Sequence, residues 1–376
     1  MIITENKIKV LSLFDGMSCG MIAMTESNFE IDRYVAYEID EYAIQTSKFN
    51  FPEIEQRGDV FEADFTEFEG FDYLIGGSPC TYWSIAQKNG REVEASGLGW
   101  ELFKQYSRAL NEAKPKYFIY ENNKSMSTAI KDSISNTFGF DPICINSALV
   151  SAQNRNRLYW VGQRNEMGEY KRVNIKQPED RGILIRDIID HISEPVNILS
   201  NGKARCLTAS YTNKGAKHIL ESFYSDNSNK QKWDCVAVPI NLSADGTKAR
   251  TLKAQYYKNG LANFITNGGF EVTAVAEPIE FLNNIPIKAI SSADGKTYKV
   301  YRVKNKKNII KGKEYPIELK DGYYIIRKLT VTECMRLQTV PEWYKFPVSS
   351  SRAYKLLGNG WTIEVIKWLL KYTYED

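Results

Sequence analysis

The stretch Ile8-Lys9-Val10-Leu11-Ser12-Leu13-Phe14-Asp15-Gly16-Met17-Ser18-Cys19-Gly20 decides the fold. Its apolar run ends at Asp15-Gly16 and reads as a buried strand of a parallel sheet. The glycines behind it lead into a helix, where backbone N–H groups can approach a ligand. Taken alone, the same glycines also suit a plain turn. Short apolar strands recur at Tyr34–Tyr37, Tyr73–Ile75 and Tyr117–Tyr120, with helical stretches over 41–49 and 101–113. Such alternation predicts an α/β lobe, an open parallel sheet with helices on both faces. Ile143–Val150 and Leu158–Gly162 read as a closing hairpin on that sheet.

The 376-residue chain is long enough for two lobes, with 43% hydrophobic and 25% charged residues. That balance excludes a disordered or collagen-like polymer. No apolar run reaches the roughly 20 residues a bilayer span needs. The start shows no secretory signal, and six scattered cysteines without a Cys-x-x-Cys pair fit a reducing cytoplasm. Two histidines, His191 and His218, argue against a histidine-based zinc site, so no metal is expected.

Charge is unevenly placed. Residues 1–150 carry 13 Lys and Arg against 23 Asp and Glu; residues 151–330 carry 30 against 18. A basic middle lobe suits either an anionic partner such as nucleic acid or a solvated lysine-rich surface. After about residue 165, strands look short and segments repeat. Lys203–Ala209 resembles Lys248–Ala254, and Ser243-Ala244-Asp245-Gly246 returns at Ser292-Ala293-Asp294-Gly295. Asp-Gly favours tight turns, so repeated β-hairpins are expected. From Leu329 the pattern is helical again, with Thr330 or Thr332 as a cap and a last helix over Thr362–Tyr372.

Candidate chemistry gathers at strand ends, where open α/β sheets bind ligands. Glu38 follows the glycine loop by roughly 20 residues, a spacing that suits a ribose hydroxyl pair. Asp59, in Gly58-Asp59-Val60, suits an exocyclic amine. No Gly-x-x-x-x-Gly-Lys-Ser/Thr loop is present, which disfavours ATP. Gly76-Gly77-Ser78-Pro79-Cys80 puts a thiol in a stiff, polar loop and points to a nucleophile, whereas Cys144 and Cys235 suit small buried thiols. Glu121 offers a carboxyl that could protonate a ring nitrogen, or is simply an exposed acid. Arg155 and Arg157, two apart on a strand, share a face and can converge on one carbonyl oxygen or phosphate.

In this order the motifs resemble the DNA cytosine-C5 methyltransferases of bacterial or phage type. They are Phe14-Asp15-Gly16, Glu38, Gly58-Asp59-Val60, Pro79-Cys80, Glu121-Asn122, Gln153-x-Arg155-x-Arg157, Arg205-Cys206-Leu207-Thr208 and Leu357-Gly358-Asn359-Gly360-Trp361. The resemblance implies a Rossmann-like S-adenosylmethionine-dependent sheet with a smaller, mainly β target-recognition domain. Expected boundaries are 1–165 for the catalytic domain, 166–325 for target recognition and 326–376 for a segment returning to the first lobe.

It also implies S-adenosylmethionine held by Phe14, Gly16, Ser18, Glu38, Ile39, Asp59, Val60, Pro79, Leu102, Asn359 and Trp361. Cys80, Glu121, Arg155 and Arg157 become the catalytic set acting on a cytosine flipped out of duplex DNA. A monomer in the cytoplasm is expected, away from membranes, with a cognate restriction endonuclease or a phage self-protection role. The rivals are an RNA (tRNA) cytosine-5 methyltransferase of the same fold and a catalytically silent DNA-binding protein. Three departures from the family pattern stand out. Ser18-Cys19 replaces two glycines, Asn123 follows Glu121-Asn122, and Gly360-Trp361 replaces serine-valine.

Overall fold

Strand β1 (Ile8–Leu13) is buried at every residue except Lys9 and lies centrally in an eight-stranded sheet. In this computed structural model, residues 7–84, 90–188 and 329–374 are described, together with the strands between 235 and 328. The other strands are β2 (Ile31–Tyr37), β3 (Glu55–Gln56), β4 (Tyr73–Gly76), β5 (Tyr117–Asn123), β6 (Ile143–Asn146), β7 (Asn156–Arg164) and β8 (Tyr170–Arg172). Their order is β3-β2-β1-β4-β5-β7-β6, with β8 on β7. The links from β3 through β5 are parallel, whereas β7 runs antiparallel to β5, β6 and β8. The expected hairpin is therefore β6–β7, with β7 inserted beside β5.

Helices α1 (Cys19–Glu26) and α2 (Glu41–Asn50) carry the chain from β1 to β3. The chain then crosses back to place β4 on the other side of β1. Order reverses at that point, which opens a crevice beyond the carboxyl ends of β1 and β4. Helix α3 starts at Gly97, earlier than the expected 101, and runs to Ala113; α4 spans Thr128–Phe138. Phe103, Tyr106, Phe118, Tyr120, Phe138 and Trp160 pack between sheet and helices in one apolar core.

The first compact unit runs through Ile183 and resumes at Cys334. It passes the expected boundary at 165 because β8 pairs with β7, and because Val173 and Arg181 donate backbone hydrogen bonds to Val161 and Leu149. After the short helix α5 (Ile185–Ile188), the next described helix is α6 (Val331–Leu337). Thr330 and Glu333 cap its start reciprocally: Oγ1 accepts from the Glu333 N–H and Oε2 from the Thr330 N–H. Helices α7 (Ser350–Asn359) and α8 (Ile363–Tyr374) complete the first unit. Tyr344 donates to the Met17 carbonyl at 2.7 Å, and the Tyr73 and Thr373 hydroxyls meet at 3.1 Å.

The second unit contains β9 (Cys235–Ile240), β10 (Ile287–Ile290), β11 (Thr297–Val303), β12 (Lys307–Ile310), β13 (Lys313–Pro316) and β14 (Gly322–Lys328). An antiparallel sheet has order β10-β11-β14-β9, and β12–β13 form a separate antiparallel pair. β10 and β11 pair antiparallel, and the expected Asp294-Gly295 turn between them lies outside the described residues. The repeats at 203–209 and 248–254, the Asp245-Gly246 turn, and Arg205-Cys206-Leu207-Thr208 lie outside the described residues. Among the described residues no helix is long and apolar enough to cross a membrane.

Candidate active site

The loop leaving β1 alternates left-handed residues: Phe14 (φ 58°), Gly16 (φ 59°) and Ser18 (φ 58°). Glycine adopts this conformation freely, but the other two must be held there. The clamp is Asp15, only 8% exposed. Its Oδ1 accepts from Ser12 Oγ at 2.6 Å and Tyr34 Oη at 2.8 Å, and its Oδ2 accepts from Ser18 Oγ. Burial pushes the Asp15 carboxyl up to about 6, against an ordinary 3.8, although the three hydroxyls work the other way.

That shift fixes a sign. A folded-state value above the unfolded one favours folding while the group is protonated, and this advantage is lost as pH rises from 3.8 through about 6. Asp15→Asn removes the titration. Denaturant melts of both proteins should therefore show the variant gaining roughly 2 kcal/mol on the parent between pH 4 and pH 7. A pH-independent difference would show that the charge at Asp15 is not what destabilises the core.

Glu38, after β2, turns its carboxylate back onto this loop. Oε2 accepts from the Gly16 N–H at 2.7 Å, and Oε1 accepts from the Ile39 and Asp40 N–H groups at 2.8 Å each. Asp40 caps α2 and pairs with Lys355 Nζ at 2.6 Å.

The second wall grows from β4. A Cβ at residue 76 would collide with the Leu13 carbonyl oxygen, so only glycine lets β4 end beside β1. A Cβ at residue 77 would lie 2.7 Å from the Glu121 carbonyl oxygen and 3.0 Å from its Oε2. Asn122 Nδ2 donates to the Ser78 carbonyl at 3.1 Å, and the Ser78 and Tyr120 hydroxyls meet at 2.6 Å. These bonds fasten the proline-cysteine loop to β5. Cys80 is half-buried, forms no disulfide and begins the 3-10 turn Cys80–Tyr82.

Behind it, Trp83 is fully buried, and its Nε1 donates to Glu92 Oε2 at 3.0 Å. Arg91 donates to the Trp83 and Ser125 carbonyls at 3.1 and 2.6 Å. Gly97 and Gly99 make room for Glu92. A Cβ at 99 would sit 2.6 Å from its Oε2, and one at 97 would strike its Oε1.

Glu121, in β5, is 9% exposed, and both its oxygens are engaged. Arg157 Nε lies 2.9 Å from Oε1, and Trp361 Nε1 donates to Oε2 at 3.0 Å. Arg155 faces the 358–361 loop. Its Nη1 and Nη2 donate to the Gly358 carbonyl at 3.2 Å each, and Nη2 also donates to the Gly360 carbonyl at 2.7 Å. Arg155 is 3% exposed and lines the cavity while its guanidinium holds the 358–361 loop.

One cavity of about 240 Å³ brings together Phe14, Gly16, Glu38, Pro79, Asn359 and Trp361 with Cys80, Glu121, Arg155 and Arg157. Ser18, Ile39, Asp59, Val60 and Leu102 do not line it. Ser18 is fully buried, its hydroxyl spent on Asp15 and Ser47. The Val60 side chain is part of the apolar core, and Leu102 packs against that core from α3. Asp59 caps the 3-10 turn Val60–Glu62 through the Phe61 N–H, and Ile39 is 73% exposed. Cys19 is a lining residue that sequence reasoning treated only as a departure. Burial pushes its thiol up to about 12, which makes it a poor nucleophile.

The lining fits S-adenosylmethionine. Nothing lies within 4 Å of a Cβ position on Gly16, so open space meets its backbone. Asp15, Glu38 and Asp40 put carboxylates on the wall, which suits a cationic ligand with sugar hydroxyls and repels a triphosphate.

Known proteins resemble this chain in sequence and in fold. The type II methyltransferase M1.ScrFI of Lactococcus lactis subsp. cremoris is 26% identical over 96% of this chain and 76% of its own length. The orphan methyltransferase M.SPRI of Bacillus phage SPR is 24% identical over 97% of each. Among solved structures, a DNMT2 mutant of Spodoptera frugiperda shares the fold with a TM-score of 0.55 at 16% identity, covering 98% of this chain and 100% of its own. The sequence profile of the C-5 cytosine-specific DNA methylases matches residues 8–375, so the chain belongs to that family, whose members methylate cytosine in DNA.

Proposed function

We propose that this chain transfers a methyl group from S-adenosylmethionine to C5 of a cytosine flipped out of duplex DNA, through a covalent bond from Cys80. The observation that carries this reading is the meeting of Cys80 with the Glu121–Arg157 pair and the Gly16 loop in one cavity. Glu38 is assigned to the ribose and Phe14, Pro79 and Asn359 to further contacts, while Asp59, outside that cavity's lining, is assigned to the adenine amine.

Cytosine C5 is a weak nucleophile. The Cys80 thiolate adds to C6, forming an S–C6 bond and moving the ring π electrons toward C5. Glu121 gives a proton or hydrogen bond to N3, and Arg157 meets the O2 oxygen, so charge does not build up on the ring. When bound, S-adenosylmethionine supplies an electrophilic sulfonium methyl to the activated C5. Water then takes the C5 proton as the S–C6 bond breaks, which restores the aromatic ring and returns the electron pair to Cys80 as thiolate. Extruding the base costs a few kcal/mol, a rule the base-modifying enzymes share.

The type II and phage orphan methyltransferases among its relatives support restriction-modification or phage self-protection as the proposed biological setting. Incubation with tritiated S-adenosylmethionine and either duplex DNA or tRNA is the test. Label incorporated at cytosine C5 of DNA is expected. Label confined to tRNA, or absent from both, would overturn the proposal.

A further inference from the structure

Two departures from the commoner family pattern touch each other. The Trp361 N–H donates to Cys19 Sγ at 3.3 Å. A Cβ on Gly360 would lie 3.1 Å from that sulfur and 3.2 Å from the Leu356 carbonyl oxygen. The usual serine at 360 would therefore crowd a cysteine at 19. Side-chain volume has moved from the last loop to the first, and residue 361 rests against α1. Backbone conformation does not demand the glycine, since its φ is −65°; space does.

The tryptophan seated this way reaches a third element. Its Nε1 lies 3.0 Å from Glu121 Oε2, while Arg157 Nε holds Oε1 at 2.9 Å. A valine, usual at 361, has no donor to offer. Glutamate has three rotatable bonds, and one donor on each oxygen fixes the plane of the carboxylate as well as its position. Each oxygen keeps a further lone pair, on which Glu121 can carry the proton it gives to N3 of a base entering the cavity.

We propose that Trp361 is a positioning residue for Glu121, its indole N–H fixing the carboxylate plane and its seat supplied by the exchange of bulk between Gly360 and Cys19. The assignment rests on the catalytic reading of Glu121, but the hydrogen bond itself does not.

Two measurements separate them. In full-length protein with ¹⁵N-labelled indoles, Glu121→Ala should move one tryptophan Nε1–H resonance strongly, and Trp361→Phe should delete that same resonance. An unmoved resonance would overturn the proposal whether or not the enzyme turns over. In the methylation assay, Trp361→Phe keeps an aromatic ring without the donor. It should lower kcat by roughly tenfold while KM for S-adenosylmethionine stays within about twofold. A merely structural role would weaken cofactor binding and leave kcat intact, and that result would refute the positioning role.

Discussion

Protein carrying Cys80→Ala is expected to lose methyl transfer to DNA by about 10⁴-fold or more, because no other group in the cavity can replace the thiolate. Cys19 shares the cavity, but burial holds its thiol near 12, and its sulfur is occupied by the Trp361 N–H. Glu121 is bound on both oxygens and is the weaker nucleophile toward a ring carbon. Folding should survive the substitution. The side chain is only half-buried, and the turn it begins is held by bonds from the Trp83 and Ser84 N–H groups to the backbone carbonyl of residue 80. DNA binding should survive as well.

A positive control uses DNA with 5-fluorocytosine at the target. Fluorine at C5 leaves no proton to remove after methyl transfer, so the S–C6 bond cannot be released. Mass spectrometry of the parent should find the adduct on the Cys80 peptide, and the variant should yield none. Turnover by the variant, or an adduct on another cysteine, would remove Cys80 from the chemistry.

The fold was largely legible because its signals are local. The apolar runs at β1, β2, β4 and β5, and the glycines after β1 and β4, each report their own segment. So do the carboxylates at strand ends, which is why Cys80, Glu38 and Glu121 could be nominated from spacing and resemblance. What escaped was chemistry between distant segments. Ser18 looks like a ligand-binding loop residue until Asp15 and Ser47 claim its hydroxyl. Arg155 and Arg157 look equivalent at i and i+2, yet one grips the Gly358 and Gly360 carbonyls and the other grips Glu121. Gly97 and Gly99 accommodate the carboxylate of Glu92, a residue that carries no mark in the sequence. Trp361 meets Glu121 across 240 positions, a separation no periodicity reports.

Glu121→Gln should lower kcat by about 10²-fold to 10³-fold, the scale for removing one pre-organised polar group at a reacting atom. The substitution preserves shape and removes both the charge and one acceptor. Arg157 Nε and Trp361 Nε1 both donate toward this side chain, one to each oxygen. A carboxylate accepts both; an amide accepts one and turns its own N–H groups against the other donor. At 12–13% side-chain exposure for this pair, water reaches the mismatch poorly. The Arg157 guanidinium loses its counter-charge in any orientation, and the amide must turn away from one donor or the other. Either outcome misplaces the group that meets N3 of the base, and an amide cannot deliver a proton there. KM for S-adenosylmethionine should change little, since Glu38 and the Gly16 loop are held by a bond of their own, apart from Glu121's partners. Steady-state rates with the target duplex decide the point: a variant retaining more than about a tenth of the parent kcat would show that Glu121 supports the architecture and not the reaction.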